Sequence, residues 1–352
     1  MDKLRERYDN LDGLRAISCL LIIAYHVKKY GDYQISGVPA DIIDLWTQFV
    51  PLFLLISGFG MFCGYYERMK NREISLSAFY KKRYAKILPF FAFVLLIYCV
   101  LEHSLSGLIE ALTQATLTYG LLPNITMELC GVAWTIGMIF LFYMLFPFFV
   151  FLCDSKKTAL IAFGISIVLS IFCYSYFFTH YGNGEFVSRK NFLYLAPYFM
   201  GGAVSFLFRD SIKRVISAHR IISLIVCILI TVGYYFIPGK ILGINTIVLK
   251  NLLLFLPWLW YSISVKSYVL NNPVASFLSK ISLELYLFQM LIFHLVEKFP
   301  GLHFAGDGWL SYILASILVI AGDVIFVEVF MLCKRWIVNL YKKIRTDKGA
   351  IA

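Results

Sequence analysis

Long apolar stretches, separated by short polar or Pro- and Gly-bearing breaks, run along the chain from one end to the other. A helix needs about 20 apolar residues to cross the hydrocarbon core of a bilayer. Stretches near that length occupy Leu11–Lys28, Ile42–Tyr66, Ile87–Leu101, Gly131–Cys153 and Thr158–Phe178. Five more follow at Asn191–Phe208, Ile221–Ile237, Thr246–Val265, Ile281–Val296 and Trp309–Cys333. Read by length and break pattern, they predict an all-α polytopic membrane protein of about ten transmembrane helices, the third and ninth being short. Asp12 and Arg15 open the first stretch, no small-residue cleavage site follows it, and further spans come after, so it reads as a span and not a secretory leader. Between the third and fourth stretches, Leu108 to Tyr119 is weakly amphipathic and too polar and short to span.

Composition narrows the class. Of 352 residues, 60% are hydrophobic and 15% are charged, against roughly 25% charged in soluble domains, which excludes an ordinary soluble enzyme. Aromatics at 17% suit interfacial belts and tight helix packing. The eight cysteines stand singly, mostly within apolar runs and without a C-x-x-C pair, and read as small core residues.

A net charge of +11 fits nucleic acid, anionic lipid or a phosphorylated ligand, and placement decides between them. With a cytoplasmic N-terminus, 24 of the 32 Lys and Arg residues fall in inner segments and 6 in outer ones, a strong positive-inside bias. The expectation is a multi-pass protein of the plasma membrane with both termini cytoplasmic. It is a single domain over residues 1–352 with a short basic tail from about 334, its surface partners being membrane lipids and not nucleic acid.

The first span carries two ionisable residues, Arg15 and His26, eleven positions apart. Eleven steps make about three turns, so both side chains share one face of the helix, roughly 16 Å apart along its axis. Taken singly, Arg15 reads equally as a snorkelling anchor and His26 as an interfacial histidine. Ionisable residues inside a span are functional candidates by default, and two on one stripe strengthen the case.

A basic residue, ten residues, then histidine in the first span is the hallmark of the integral-membrane acyltransferase 3 family, which this sequence resembles. The flanking words agree over nearly the whole chain. They are LDGLRAI before the first span, FLLISGF at Phe53–Phe59, FYKKRYAKILPFF at Phe79–Phe91, AWTIGMIFLFYMLFP at Ala133–Pro147, YLAPYFMGGAVSFLF at Tyr194–Phe208 and ISLELYLFQMLIF at Ile281–Phe293. Two positions depart from the pattern: Ile139 and Phe140 stand where many members carry acidic residues, and Gln289 stands where many carry histidine. No catalytic glutamate or second histidine is therefore carried over.

The resemblance implies transfer of an acyl group, usually acetyl from acetyl-CoA, to a hydroxyl of a carbohydrate acceptor. A hydroxyl is a weak nucleophile, and a neutral imidazole can take its proton as it attacks the thioester and return it to the leaving thiolate. His26 is assigned that task, by direct transfer or through an acyl-histidine intermediate, and Arg15 donor binding or positioning. The donor is a co-substrate bearing phosphates, and Lys82, Arg83 and Lys86 at the inner flank of the third span are expected to meet them by charge-assisted hydrogen bonds. The alternative for these three is topological anchoring on anionic headgroups. Trp134, Glu284 and Gln289 are weaker candidates for the substrate, with a core tryptophan, an inner-interface acid and an interhelical amide bond as their structural readings. Asp323 and Glu328 stand with Glu284, and Ser57 and Gly58 read as small contacts between helices. No metal site is expected. The competing function is a transporter or exporter of a glycan or acylated metabolite on the same fold.

Overall fold

The computed structural model describes residues 8–122, 127–173, 190–242 and 244–349, with backbone alone at most positions after 336. The helices in chain order are α1 (Asn10–Tyr30), α2 (Val38–Asp44), α3 (Val50–Lys70), α4 (Leu76–Glu102), α5 (Leu105–Ala115), α6 (Trp134–Met144), α7 (Phe146–Leu152) and α8 (Lys156–Phe172). They continue with α9 (Phe192–Leu207), α10 (Arg209–Ala218), α11 (Arg220–Tyr234), α12 (Ile247–Ser264), α13 (Pro273–Lys280), α14 (Ser282–Lys298) and α15 (Trp309–Gly349). A hairpin of two short strands, Lys240–Ile241 and Ile244–Asn245, joins α11 to α12.

Among the described residues each of the ten apolar stretches overlaps helix, Ile42–Tyr66 and Gly131–Cys153 each covering parts of two helices. Five helices are long and apolar enough to cross a membrane, and up to eight spans result if each of three bent helix pairs counts as one. Two further stretches fall on α8 and α11, of 17 and 15 residues. At about 1.5 Å per residue, 15 residues reach roughly 23 Å, short of a ~30 Å hydrocarbon core. The stretch expected to end at Phe178 does so outside the described residues. The described helices thus support five to eight spans where ten were expected, in an all-α membrane protein.

Local chemistry sets the helix starts. Ser75 Oγ accepts the Ala78 amide at 3.2 Å to open α4, and Ser104 Oγ accepts that of Gly107 at 2.9 Å to open α5. Ser155 and Thr158 form a reciprocal capping box on α8, and Asn191 Oδ1 accepts the Leu193 amide at 2.8 Å on α9. The chain bends by 51° between α6 and α7, where Pro147 follows the break, and by 77° between α9 and α10. α5 turns Gly107, Ala111 and Gln114 inward and leaves Leu105, Leu108, Ile109 and Leu112 exposed. α15 runs on well past Cys333, because the basic stretch that follows holds helix formers and no glycine or proline before Gly349.

The chain divides into two compact units, residues 1–18 with 46–280, and residues 19–45 with 281–352, so α1 begins in the first and continues in the second. The first unit is built on a close crossing of α3 and α9. A Cβ placed on Gly58 would strike the Phe199 carbonyl, and one on Gly202 would strike the Leu55 carbonyl. Small residues are what let two membrane helices touch backbone to backbone, where van der Waals contact and not water exclusion drives association. Around the crossing Phe199 stacks on Phe142 at 4.9 Å and Phe62 meets Phe146 edge-on at 5.4 Å. In the second unit α14 packs along α1 and α15. Phe288 of α14 stacks on Phe326 of α15 at 3.7 Å, and the Tyr312 hydroxyl of α15 donates to the Ala24 carbonyl of α1 at 3.2 Å. All eight cysteines are free thiols.

Candidate active site

Within the second unit two bonds tie α1 to α14. The Cys19 thiol donates to the Ser282 carbonyl at 3.5 Å, and His26 Nδ1 lies 2.8 Å from Gln289 Oε1. Both pairs are 263 residues apart in sequence, so α1 and α14 run parallel and in register, and seven residues, two helical turns, separate the contacts on each helix. Parallel packing is the relation that the expected order gives to its first and ninth spans. Gln289 is 1% exposed, and its Nε2 donates to the Tyr286 carbonyl at 2.8 Å. The half-buried imidazole also has the rings of Tyr25 and Tyr30 beside it, at 5.3 and 6.0 Å.

Within the first unit the arginines gather. Arg15 pairs with Asp12 at 3.5 Å, one turn earlier on α1, and Asp12 also accepts the Ser279 hydroxyl at 2.7 Å. The start of α1 is seated by Gly13, where any side chain would collide with the Leu270 backbone, and by the Asn10 amide, which donates to the Val265 carbonyl. Across from Arg15 lies Gly60 of α3, exposed, with a notional Cβ only 3.8 Å from the guanidinium.

Next to Gly60, Met61 accepts from Arg83 Nη1 at 3.6 Å, and the Tyr65 hydroxyl accepts from Nη2. The Arg83 guanidinium stands over the rings of Tyr65, Tyr143 and Phe79 at 4.7, 5.6 and 5.9 Å. Cation–π attraction of this kind is worth about 0.5–2 kcal/mol per contact, more when water is excluded. Tyr143 is within electrostatic range of Arg15 as well. Arg83 Nε is buried and has no hydrogen-bond partner among the described residues. Arg83 stands over the Tyr143 ring with neutral partners around it, and Arg15, with a carboxylate against it, is within electrostatic range of the same phenol. The arrangement can take up a phosphate or other anion.

The three basic residues expected to act together are divided by the geometry. Arg83 turns inward between Phe79 and Ile87, while Lys82 and Lys86 are exposed on the flank of α4. Trp134 opens α6 with its ring 8% exposed, so stacking on a sugar would require its packing to open. Glu284 is half-buried in the first turn of α14, within electrostatic range of Cys19, five residues before the glutamine that meets His26. Asp323 is wholly buried on α15 with neither carboxyl oxygen hydrogen-bonded among the described residues, and Glu328 stands 4.0 Å from Arg335. Asp12, Gly60, Tyr65 and Tyr143 were not anticipated. Asp12, three residues before Arg15, carried a signal in the i,i+3 rule for helical ion pairs. The others meet only through packing.

Each unit thus carries polar groups within apolar helical packing: the guanidiniums of Arg15 and Arg83 in the first, the imidazole of His26 on Gln289 in the second. The model of the acyltransferase 3 family, described as an acyltransferase domain, matches residues 8–328, and the chain belongs to this family. Acyltransferase MdmB of Streptomyces mycarofaciens is 28% identical to it over 156 residues, which cover 40% of this chain and 38% of that protein. The chain therefore aligns with well under half the length of that curated relative. No solved structure matches it.

Proposed function

We propose that the protein is a membrane O-acyltransferase that moves an acetyl group from cytoplasmic acetyl-CoA to a hydroxyl of a cell-surface or lipid-linked carbohydrate at the plasma membrane. Membership of the acyltransferase 3 family supports acyl transfer. The observation that supports the donor assignment is the Arg83 guanidinium, held among neutral aromatic and thioether groups with Arg15 within electrostatic range of the same Tyr143. A cation in that setting gains by pairing with an anion, and a planar guanidinium binds phosphate oxygens two at a time. Arg15 and His26 sit on one continuous helix, and a pantetheine arm matches their roughly 16 Å separation along its axis. His26 then takes the acceptor proton as the oxygen attacks the thioester carbonyl, and the leaving thiolate recovers it.

The test is release of free CoA from acetyl-CoA by purified protein, with a panel of methyl hexopyranosides as acceptors. Release that depends on both protein and acceptor is the expected result. Passage of intact glycan into protein-bearing vesicles with no CoA released would instead support the transporter.

A further inference from the structure

We propose that Gln289 is a positioning residue that decides which nitrogen of His26 does the chemistry, an inference that rests on the acyl-transfer reading above. Gln289 is held at both ends of its amide. The partner of Nε2 is the Tyr286 carbonyl, which can only accept, so the amide nitrogen belongs there and Oε1 faces the imidazole. An amide oxygen also only accepts, so the hydrogen of the 2.8 Å bond sits on His26 Nδ1. A neutral imidazole has one N–H, so Nε2 carries no hydrogen. The parallel register of α1 and α14, fixed a second time by Cys19 and Ser282 two turns away, holds this geometry.

The consequence is a defined route for the proton. The acceptor O–H gives its hydrogen to Nε2 as the oxygen bonds to the thioester carbon, the C–S bond breaks, and the thiolate takes the same hydrogen back from Nε2. Nδ1–H is not exchanged at any step, and imidazole leaves the cycle neutral. Gln289 differs from a carboxylate at the same place in one respect: it selects the tautomer without adding a negative charge that would favour the imidazolium.

The experiment uses the full chain in nanodiscs with ¹⁵N-labelled histidine, the His26 resonances being identified by their loss in His26→Ala. Parental protein is expected to show Nδ1 protonated and Nε2 without a hydrogen in the neutral form. Gln289→Leu should lose that preference, and its kcat for acetyl transfer to the best methyl hexopyranoside should fall about 10- to 100-fold, the range for losing the partner that orients a functional histidine, with KM for acetyl-CoA little changed. Gln289→Glu should restore the tautomer. Because an opposite charge favours the protonated ring, its His26 titration midpoint should move up by about one unit or more, so that activity is lost at higher pH as the solution is acidified. A neutral His26 protonated on Nε2 in the parental protein, a Gln289→Leu kcat within twofold of parental, or a Gln289→Glu midpoint equal to the parental one would each overturn the positioning role. If Gln289→Leu does not fold, the parental tautomer and the glutamate midpoint decide. Near-parental turnover by His26→Ala would remove the acyl-transfer reading and this inference together, whereas loss of activity in His26→Ala with full activity in Gln289→Leu would remove only the inference.

Discussion

Neutralising Arg83 separates a donor site from a topological anchor. The guanidinium faces inward against Tyr65, Tyr143 and Met61, while Lys82 and Lys86 point outward from the same two turns of α4. A hydrogen bond to a charged group is worth about 1.5–3 kcal/mol, and about 1.4 kcal/mol corresponds to a factor of ten. Arg83→Gln should therefore raise KM for acetyl-CoA about 10- to 150-fold. Exposed ion pairs contribute about 0–1 kcal/mol, so Lys82→Gln with Lys86→Gln should raise it no more than about fivefold. Arg83→Lys should fall between, since it keeps the charge and loses the planar fork. The assay is CoA or pantetheine thiol release with two donors, acetyl-CoA and acetyl-pantetheine, the second having no phosphates. Contacts to a remote part of a substrate vanish with that part, so the Arg83→Gln penalty should nearly disappear for acetyl-pantetheine, which also controls for damage to the aromatic cage. Equal penalties for the two donors, or a larger effect from the lysine pair than from Arg83, would refute the assignment.

Gly60→Leu should block the approach to Arg15 without a backbone clash, raising KM for acetyl-CoA at least tenfold while the melting temperature in detergent stays close to parental. Gly202→Val should act on stability instead, because the added carbons meet the Leu55 carbonyl across the helix crossing. A loss of about 1–3 kcal/mol should appear as a lower melting temperature and poorer membrane yield. With native cysteines replaced, labels at Lys70 and Lys157 should react only from the cytoplasmic side and one at Leu121 only from outside. Outside labelling at Lys70 would reverse the orientation and with it the cytoplasmic donor.

Helices were the most legible part of the fold, since a long apolar stretch specifies helix locally, and among the described residues all ten stretches overlap helix. The breaks were less so. Bends after Met144 and after Leu207 depend on how the flanking helices pack, and they leave fewer full-length spans than a hydropathy reading expects. The shared face of Arg15 and His26 followed from helical period alone. Arg83 could have been set apart from Lys82 and Lys86 by the same reasoning, because it lies four residues from both Phe79 and Ile87, which are buried. The tether from Gln289 to His26 could not, as it joins residues 263 positions apart through the register of two helices. Read from sequence, Gln289 was an interhelical amide or a substrate contact. In the structure it is an interhelical amide whose partner is the histidine itself.

Whether His26 carries the proton in an acyl transfer is decided by the rate of CoA release by His26→Ala against the parental protein at saturating acetyl-CoA and acceptor. A general base is worth about 10²–10⁴ in rate. A loss in that range is expected, with KM for acetyl-CoA nearly unchanged and the protein still folded. Turnover within a few-fold of parental would contradict it.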